Sequence, residues 1–335
     1  MAKQEREKSV SLFLSRFRSF LQAGATLLTN PHLPNFVKGA IYQGKGKYVC
    51  VPGLNCYSCP AAGGACPIGS FQAVAGSSKF RFSYYVAGML IFLGVLLGRL
   101  ICGFLCPFGW FQDLINKLPV KKLSTRRLKP LRYLKYAVLV IAVVLLPALL
   151  RDSFGLGPPY FCKYLCPQGV LEGAIPLSLA DSGIRAALGS LFRWKAALLL
   201  AVVALSAVFY RPFCKWLCPL GAFYSLLNSV SLLDMRVNKD RCISCGKCAR
   251  VCGMDVDITK TPNHTECIRC GVCIKACPTD AIRYRCGFGA GMNNTKTKEE
   301  NSVKVSTGPA QRKNGAQKRP CKQTILQGQS VFTQS

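Results

Sequence analysis

"CISCGKCARVCGMDVDITKTPNHTECIRCGVCIKACPTDAIRY", residues 242–284, holds eight of the chain's twenty cysteines in two blocks of one rhythm, CxxCxxCxxxC. The first block is Cys242, Cys245, Cys248 and Cys252; the second, Cys267, Cys270, Cys273 and Cys277, repeats it 25 positions on. Three thiolates two residues apart wrap a short loop around a cubane and take three of its iron corners, while the fourth cysteine, on a following turn, reaches the neighbouring cluster. Each block therefore completes the other. Gly246 and Gly271 hold the same place in the two loops, where the backbone passes close to inorganic sulfide and a positive φ turns N–H groups toward it. Ile243, Ile268, Val272 and Ile274 keep water off. Structural zinc draws on two separated thiol pairs, and disulfides need an oxidising compartment. A third thiol at i+6 and a fourth followed by Pro278 belong instead to the two-cluster iron–sulfur pattern. The expectation is two [4Fe–4S] clusters; the first block has Gly253 where the second has Pro278, a position that ligates nothing.

What precedes this segment is of another kind. Half of the 335 residues are apolar and the mean hydropathy is positive. The runs at 84–106, 133–150 and 194–210 each carry an uncharged apolar core of 15 residues. That is short of the ~20 needed to span a bilayer, but flanking Tyr, Trp, Lys and Arg extend each run by snorkelling. Buried helices of a soluble protein are the competing reading; three such runs in one small chain favour spanning. Residues 11–30 are a weaker fourth candidate, for which Arg16 and Arg18 argue an interfacial helix instead. The expected fold class is mainly α: about four transmembrane helices with a small C-terminal α+β ferredoxin domain of the bacterial two-cluster type. The expected domains are 1–235, the transmembrane part; 236–286, the ferredoxin-like part; and 287–335, a polar, Gly- and Lys-rich disordered tail.

Lys117, Lys121, Lys122, Arg126, Arg127, Lys129, Arg132 and Lys135 crowd one short connection with a single acid, which keeps that connection in the cytoplasm. With the N-terminus inside, residues 31–83 and 151–193 face out and the last span delivers the ferredoxin segment to the cytoplasm. The expected location is thus the inner membrane of the cell, multi-pass. The formal charge of +30 is dispersed through membrane-proximal loops and the tail, a pattern for anionic lipid and against nucleic acid.

Within the apolar part, "GRLICGFLCPFGWFQDLIN" (98–116) and "YRPFCKWLCPLGAFYSLLN" (210–228) align without a gap at an offset of 112. Arg99 and Arg211, Cys102 and Cys214, Cys106 and Cys218, Pro107 and Pro219, Gly109 and Gly221, and Asn116 and Asn228 are among the identical pairs. Cysteines at i and i+4 share a helix face, and the proline after them ends that helix or opens the next. Cys102, Cys106, Cys214 and Cys218 together supply the four thiols one [4Fe–4S] cluster needs. Two other readings stay open: small cysteines packing helix crossings, and thiolate capture of a soft metal such as copper(I). A third copy, "FCKYLCPQG" with Cys162 and Cys166, and a partial one, "ACPIGSFQ" with Cys66, fall in the outer loops, beside Cys50, Cys56 and Cys59. For these a cluster, a redox-active pair and structural disulfides are the alternatives.

The paired CxxxCP motifs at span ends, the "NCYSCPAAGGACPIG" loop and the C-terminal CxxCxxCxxxC pair resemble the polyferredoxin-like membrane proteins linked to periplasmic nitrate reductase. These are relatives of the nitrous-oxide-reductase regulators and the oxidase-assembly copper reductases. The likeness covers residues 11–286. It implies an integral-membrane electron carrier whose cytoplasmic clusters exchange electrons with the quinone pool or an extracytoplasmic redox partner protein. Its cluster ligands would be the eight cysteines from Cys242 to Cys277, with a further cluster or metal at Cys102, Cys106, Cys214 and Cys218. The alternative function is a metal (copper) reductase or assembly factor working through the CxxxCP thiols. No flavin-binding outer domain of the regulator kind is recognisable.

Only His32 and His264 occur, far apart and with no CxxCH, so neither a membrane bis-histidine haem nor a covalent haem is available within the chain. No P-loop, dinucleotide fingerprint or catalytic triad is present; an electron-transfer subunit fits better than a stand-alone enzyme, and no catalytic residue is expected. Tyr84 to Cys102 spans about 27 Å as a helix. A single inner site leaves that distance open, so the outer cysteines, a quinone or a partner subunit must fill it.

Overall fold

The computed structural model describes residues 2–77, 84–152 and 156–287, all within one compact unit. The tail expected over 287–335 lies outside the described residues from 288 on. The described residues are mostly helical, with a small sheet around the cysteine-rich segment. The sheet has two strands, β1 (Leu233–Val237) and β2 (Ile282–Cys286), antiparallel with Leu233 opposite Cys286 and Val237 opposite Ile282. The strands therefore clasp the two ends of the cysteine-rich segment. Met235, Ile258, Ile274, Ile282 and Tyr284 fill the small core between them.

Among the described residues two helices are long and apolar enough to cross a bilayer, Arg126–Leu149 and Ser190–Val208; Tyr84–Leu97 and Gly169–Ala180 are shorter apolar helices. The first of these shorter helices stops for a local reason. Gly98 takes a left-handed φ of 55°, and a Cβ there would stand 2.6 Å from the Arg269 guanidinium and 2.8 Å from Asn228 Oδ1. Only glycine lets the helix end flush against these polar groups.

Residues 11–30 form no single helix. One helix, Ala2–Arg16, ends at Phe17, and a second, Arg18–Thr29, begins beyond it. The break places Arg18 against Asp113 at 2.5 Å, a buried use for the arginine that weighed against a span here. The second helix, about 18 Å long, carries Gln22 to the carbonyl of Gly103 and ends where Thr29 accepts the N–H of Gly63 in the cysteine-rich loop. The first half instead packs on the ferredoxin part, where the Ser11 hydroxyl accepts the N–H of Tyr284.

The CP dipeptides act as helix starts. Pro67, Pro107 and Pro219 open the helices Pro67–Gly76, Pro107–Ile115 and Pro219–Leu227, each with the preceding cysteine at the N-cap. Proline's fixed φ and missing N–H cost nothing at that position. Phe108 and Phe213, one from each repeat, meet edge to face with centroids 4.9 Å apart, a pairing worth about 0.5–1.5 kcal/mol beyond its area.

Candidate metal centres

In the ferredoxin part the backbone itself carries the 25-residue repeat. Ser244, Gly246 and Asp255 have positive φ, and so do Arg269, Gly271 and Asp280, their counterparts 25 positions on. Two successive turns of this kind in each cysteine loop point amide N–H groups inward, the lining a polyanionic cluster requires. Cys242, Cys245, Cys248 and Cys277 share one cleft with Ile243 and Ile282. Cys252, Cys267, Cys270 and Cys273 share a second with Val256, Ile258 and Ile268. Cys248 borders the second cleft as well, so the first joins three thiols of one block to Cys277 of the other, and the second joins three thiols to Cys252 and Cys248. Gly253 departs from Pro278 because the Tyr210 ring occupies its side-chain space, 2.6 Å from where a Cβ would lie.

The thiols of the two CxxxCP repeats also come together. Cys218 lies within electrostatic reach of Cys214, Cys102 and Cys106, and all four are buried. Each CP cysteine sits at a helix N-terminus: Cys218 Sγ accepts the N–H of Gly221 at 3.3 Å, and Cys106 takes backbone hydrogen bonds from Gly109 and Leu54. Such an N-cap stabilises thiolate over thiol. Gln112 Nε2 donates to Cys214 Sγ at 3.1 Å.

The two arginines cross between the repeats. Arg99 of the first donates to the carbonyl of Cys214 at 3.4 Å, and Arg211 of the second donates to the carbonyl of Cys102. Arg99 Nε is buried with no partner, a donor in want of the acceptor that an anionic cluster would supply. Among the described residues no group of three or more His, Cys, Asp or Glu side chains is arranged to hold a single metal ion. A tetrahedral ion pulls its thiolates to about 3.8 Å from one another at a metal–sulfur length near 2.3 Å.

The inner thiols and the second ferredoxin loop are bolted to one another. Asn228 accepts the N–H of Arg99 at 3.0 Å and donates to the carbonyls of His264 and Cys267 at 2.8 and 3.1 Å. A Cβ on Gly103, next to Cys102, would stand 2.5 Å from the carbonyl oxygen of Ile268. Glu266 pairs with Arg99 at 2.8 Å and also with Lys135, whose side chain, like that of Arg99, is fully buried. Burial would raise the Glu266 carboxyl, but Arg99 and Lys135 overcome it and hold the group at about 2. On the other flank Asp113 accepts from both Arg211 and Arg18 at 2.5 Å.

Sequence reading named the eight ferredoxin cysteines and the four inner ones as candidate ligands and did not name the polar groups beside them. One signal was available: the residue six positions after Cys66, Cys106, Cys166 and Cys218 is polar, as Gln72, Gln112, Glu172 and Tyr224. Each reaches across the body, Gln72 to Cys162, Gln112 to Cys214, Glu172 to the N–H of Cys56, and Tyr224 to the carbonyl of Pro52.

These features define a ferredoxin-type iron–sulfur protein of electron transport, built on an internal repeat. Residues 82–126, 136–175 and 194–239 match one 4Fe-4S binding domain family, and residues 235–256 and 261–283 match a second. The chain is 30% identical over 210 residues to an uncharacterized protein, MJ0750, of Methanocaldococcus jannaschii, covering 60% of this chain and 77% of that one. It is 29% identical over 190 residues to the putative electron transport protein YccM of Escherichia coli, covering 53% and 49%. It is 24% identical over 178 residues to the ferredoxin-type protein NapH of Haemophilus influenzae, covering 52% and 54%. The chain thus spans about half the length of the latter two. No solved structure matches. The chain belongs to the family of ferredoxin-type, [4Fe–4S]-binding electron-transport proteins that includes NapH.

Proposed function

We propose that this is an integral-membrane carrier of single electrons with three [4Fe–4S] clusters arranged along one line. Cys242, Cys245, Cys248 and Cys277 hold the first, Cys267, Cys270, Cys273 and Cys252 the second, and Cys102, Cys106, Cys214 and Cys218 the third. A cluster in each set supplies a one-electron couple. The chain's own residues fix the spacing between sets, exclude water and set the charge around each. The line runs from a cytoplasmic ferredoxin domain, beginning near residue 236, into a helical domain in the inner membrane. Beyond it lies the quinone pool or an extracytoplasmic redox partner protein.

The observation that carries this reading is the joint at Asn228, where one side chain holds both the helix entering Cys102 and the carbonyl of Cys267. Two centres so braced keep a fixed separation. Lipid contact is supported by outward-facing Phe92, Leu149 and Leu200, all strongly exposed on apolar helices, and by the basic connection 117–135 on the ferredoxin side. The copper-reductase alternative uses the same four thiols and differs in the metal they would hold.

Anaerobic preparation in detergent followed by EPR of the reduced protein tests the reading. Replacing Cys102 and Cys214 by Ser removes one cluster signal and leaves the two ferredoxin signals. Retention of every signal, or loss of bound copper with iron unchanged, refutes it.

A further inference from the structure

The outer cysteines, which the sequence left divided among a cluster, a redox pair and disulfides, are not scattered in the structure. All described cysteines are free thiols. Cys56, Cys66, Cys162 and Cys166 line one cavity of about 470 Å³, and Cys166 lies within electrostatic reach of the other three. Cys50 and Cys59 stand apart: Cys59 Sγ donates to Asn30 Oδ1 at 3.6 Å, and Cys50 bonds with Ser70.

The cavity repeats the inner site residue by residue. Cys66, Pro67, Gly69 and Gln72 match Cys106, Pro107, Gly109 and Gln112, 40 positions later; Cys162, Cys166, Pro167 and Gly169 match Cys214, Cys218, Pro219 and Gly221, 52 positions later. The matching contacts recur. Gln72 Nε2 donates to Cys162 Sγ at 3.1 Å as Gln112 does to Cys214. Cys66 and Cys166 take backbone hydrogen bonds from Gly69 and Gly169, as Cys218 does from Gly221. The two glycines also leave the space open, since a Cβ on Gly69 would lie 3.8 Å from Cys162 Sγ and one on Gly169 3.8 Å from Cys56 Sγ. One position breaks the match. Ala62 stands where Cys102 would be expected, and Cys56, six residues earlier, restores the fourth thiol.

We infer that Cys56, Cys66, Cys162 and Cys166 hold a further [4Fe–4S] cluster. The donor set is all sulfur around one cavity, and its helix N-termini and Lys195, whose Nζ would lie 3.2 Å from a Cβ on Gly169, favour an anionic guest. The placement closes the gap that a single inner site leaves. Leu54 bonds to Cys106 and Cys56 lines the outer cavity, so their Cα atoms are at most about 7 Å apart along the chain. The outer loop folds inward to bring the two sites side by side.

The inference rests on the iron–sulfur reading above and is separable from it. Iron and acid-labile sulfide are measured on the whole protein prepared without air, with Mössbauer spectra of protein enriched in ⁵⁷Fe. Cys162→Ser with Cys166→Ser loses about four irons and four sulfides, while Cys59→Ser loses none. The inner site is read independently by Cys102→Ser with Cys214→Ser, so either site can fail alone. Unchanged iron in the Cys162, Cys166 variant, a disulfide among the four thiols in anaerobic protein, or copper in place of iron overturns the inference. If that variant fails to accumulate, alkylation of the unmodified protein decides. Release of Cys56, Cys66, Cys162 and Cys166 to the reagent upon removal of iron supports the site; a pattern indifferent to iron overturns it.

Discussion

Replacing Glu266 by Gln tests the joint between the ferredoxin domain and the helices. The carboxylate is the single anion shared by two cations, Arg99 and Lys135, both fully buried. An amide of the same shape keeps the packing and one acceptor but leaves the positive charges uncompensated. Removing one partner of a buried pair costs about 3–5 kcal/mol, because the remaining charge has neither water nor counterion. The protein relieves that cost by letting the loop around Glu266 lift away and hydrate. At the lower figure the lifted state becomes roughly a hundredfold more populated, at about 1.4 kcal/mol per decade. Amide hydrogen exchange over residues 264–269, followed by mass spectrometry on anaerobic protein, reads that population directly. The expected result is exchange about a hundredfold faster, partly restored when Lys135→Met is added, since one orphaned cation is then gone. Exchange accelerated by less than about threefold, with iron content equal to the parent's, would refute the reasoning.

The exchange of fourth ligands predicts an asymmetry: Cys252→Ser with Cys267→Ser injures one ferredoxin cluster, whereas Cys252→Ser with Cys242→Ser injures both. Equal losses of iron in the two double variants would dismiss the crossed ligation. Gly103→Ala drives a Cβ into the Ile268 carbonyl and costs about 1–3 kcal/mol. Cluster absorbance is therefore lost at a lower temperature on heating, and an unchanged midpoint removes the argument. Gln112→Leu deletes a donor to the Cys214 sulfur, which stabilises the more negative, reduced state. The reduction potential of the inner cluster falls by about 40 mV for each kcal/mol of that difference; an EPR-monitored titration showing no change or a rise counts against the assignment.

The parts of this molecule written in short, local spacings could be read directly. CxxCxxCxxxC fixes which thiols share a loop, and the 25-residue repeat is legible down to Gly246 and Gly271, whose left-handed φ follows from their place between cysteines. Helix starts at Pro67, Pro107 and Pro219 are equally local. The failures are all of long range. Residues 11–30 look like a weak span because their composition does not show that Arg18 will find Asp113, 95 positions away. The run 84–106 looks continuous because nothing near Gly98 announces Asn228 and Arg269. Cys56 and Cys66 sit in a loop whose partners, Cys162 and Cys166, lie about a hundred residues on, and contacts at that separation leave no periodicity behind.

The arginine retained in both membrane repeats has a charge argument behind it. A [4Fe–4S] cluster with four thiolates is a dianion when oxidised, and burying it uncompensated among apolar helices is prohibitive. Around the inner site Arg99 and Lys135 share only Glu266, and Arg211 and Arg18 share only Asp113. Two cations less one anion on each flank leave two positive charges in all, equal and opposite to the cluster. That inner charge cannot be assembled from one repeat, because Arg99 serves the carbonyl of Cys214 and Arg211 that of Cys102. Both motifs, the Glu266 loop and the Arg18 helix must be in place before that charge is assembled, so a cluster held there would report that the helical part and the ferredoxin part have closed on one another.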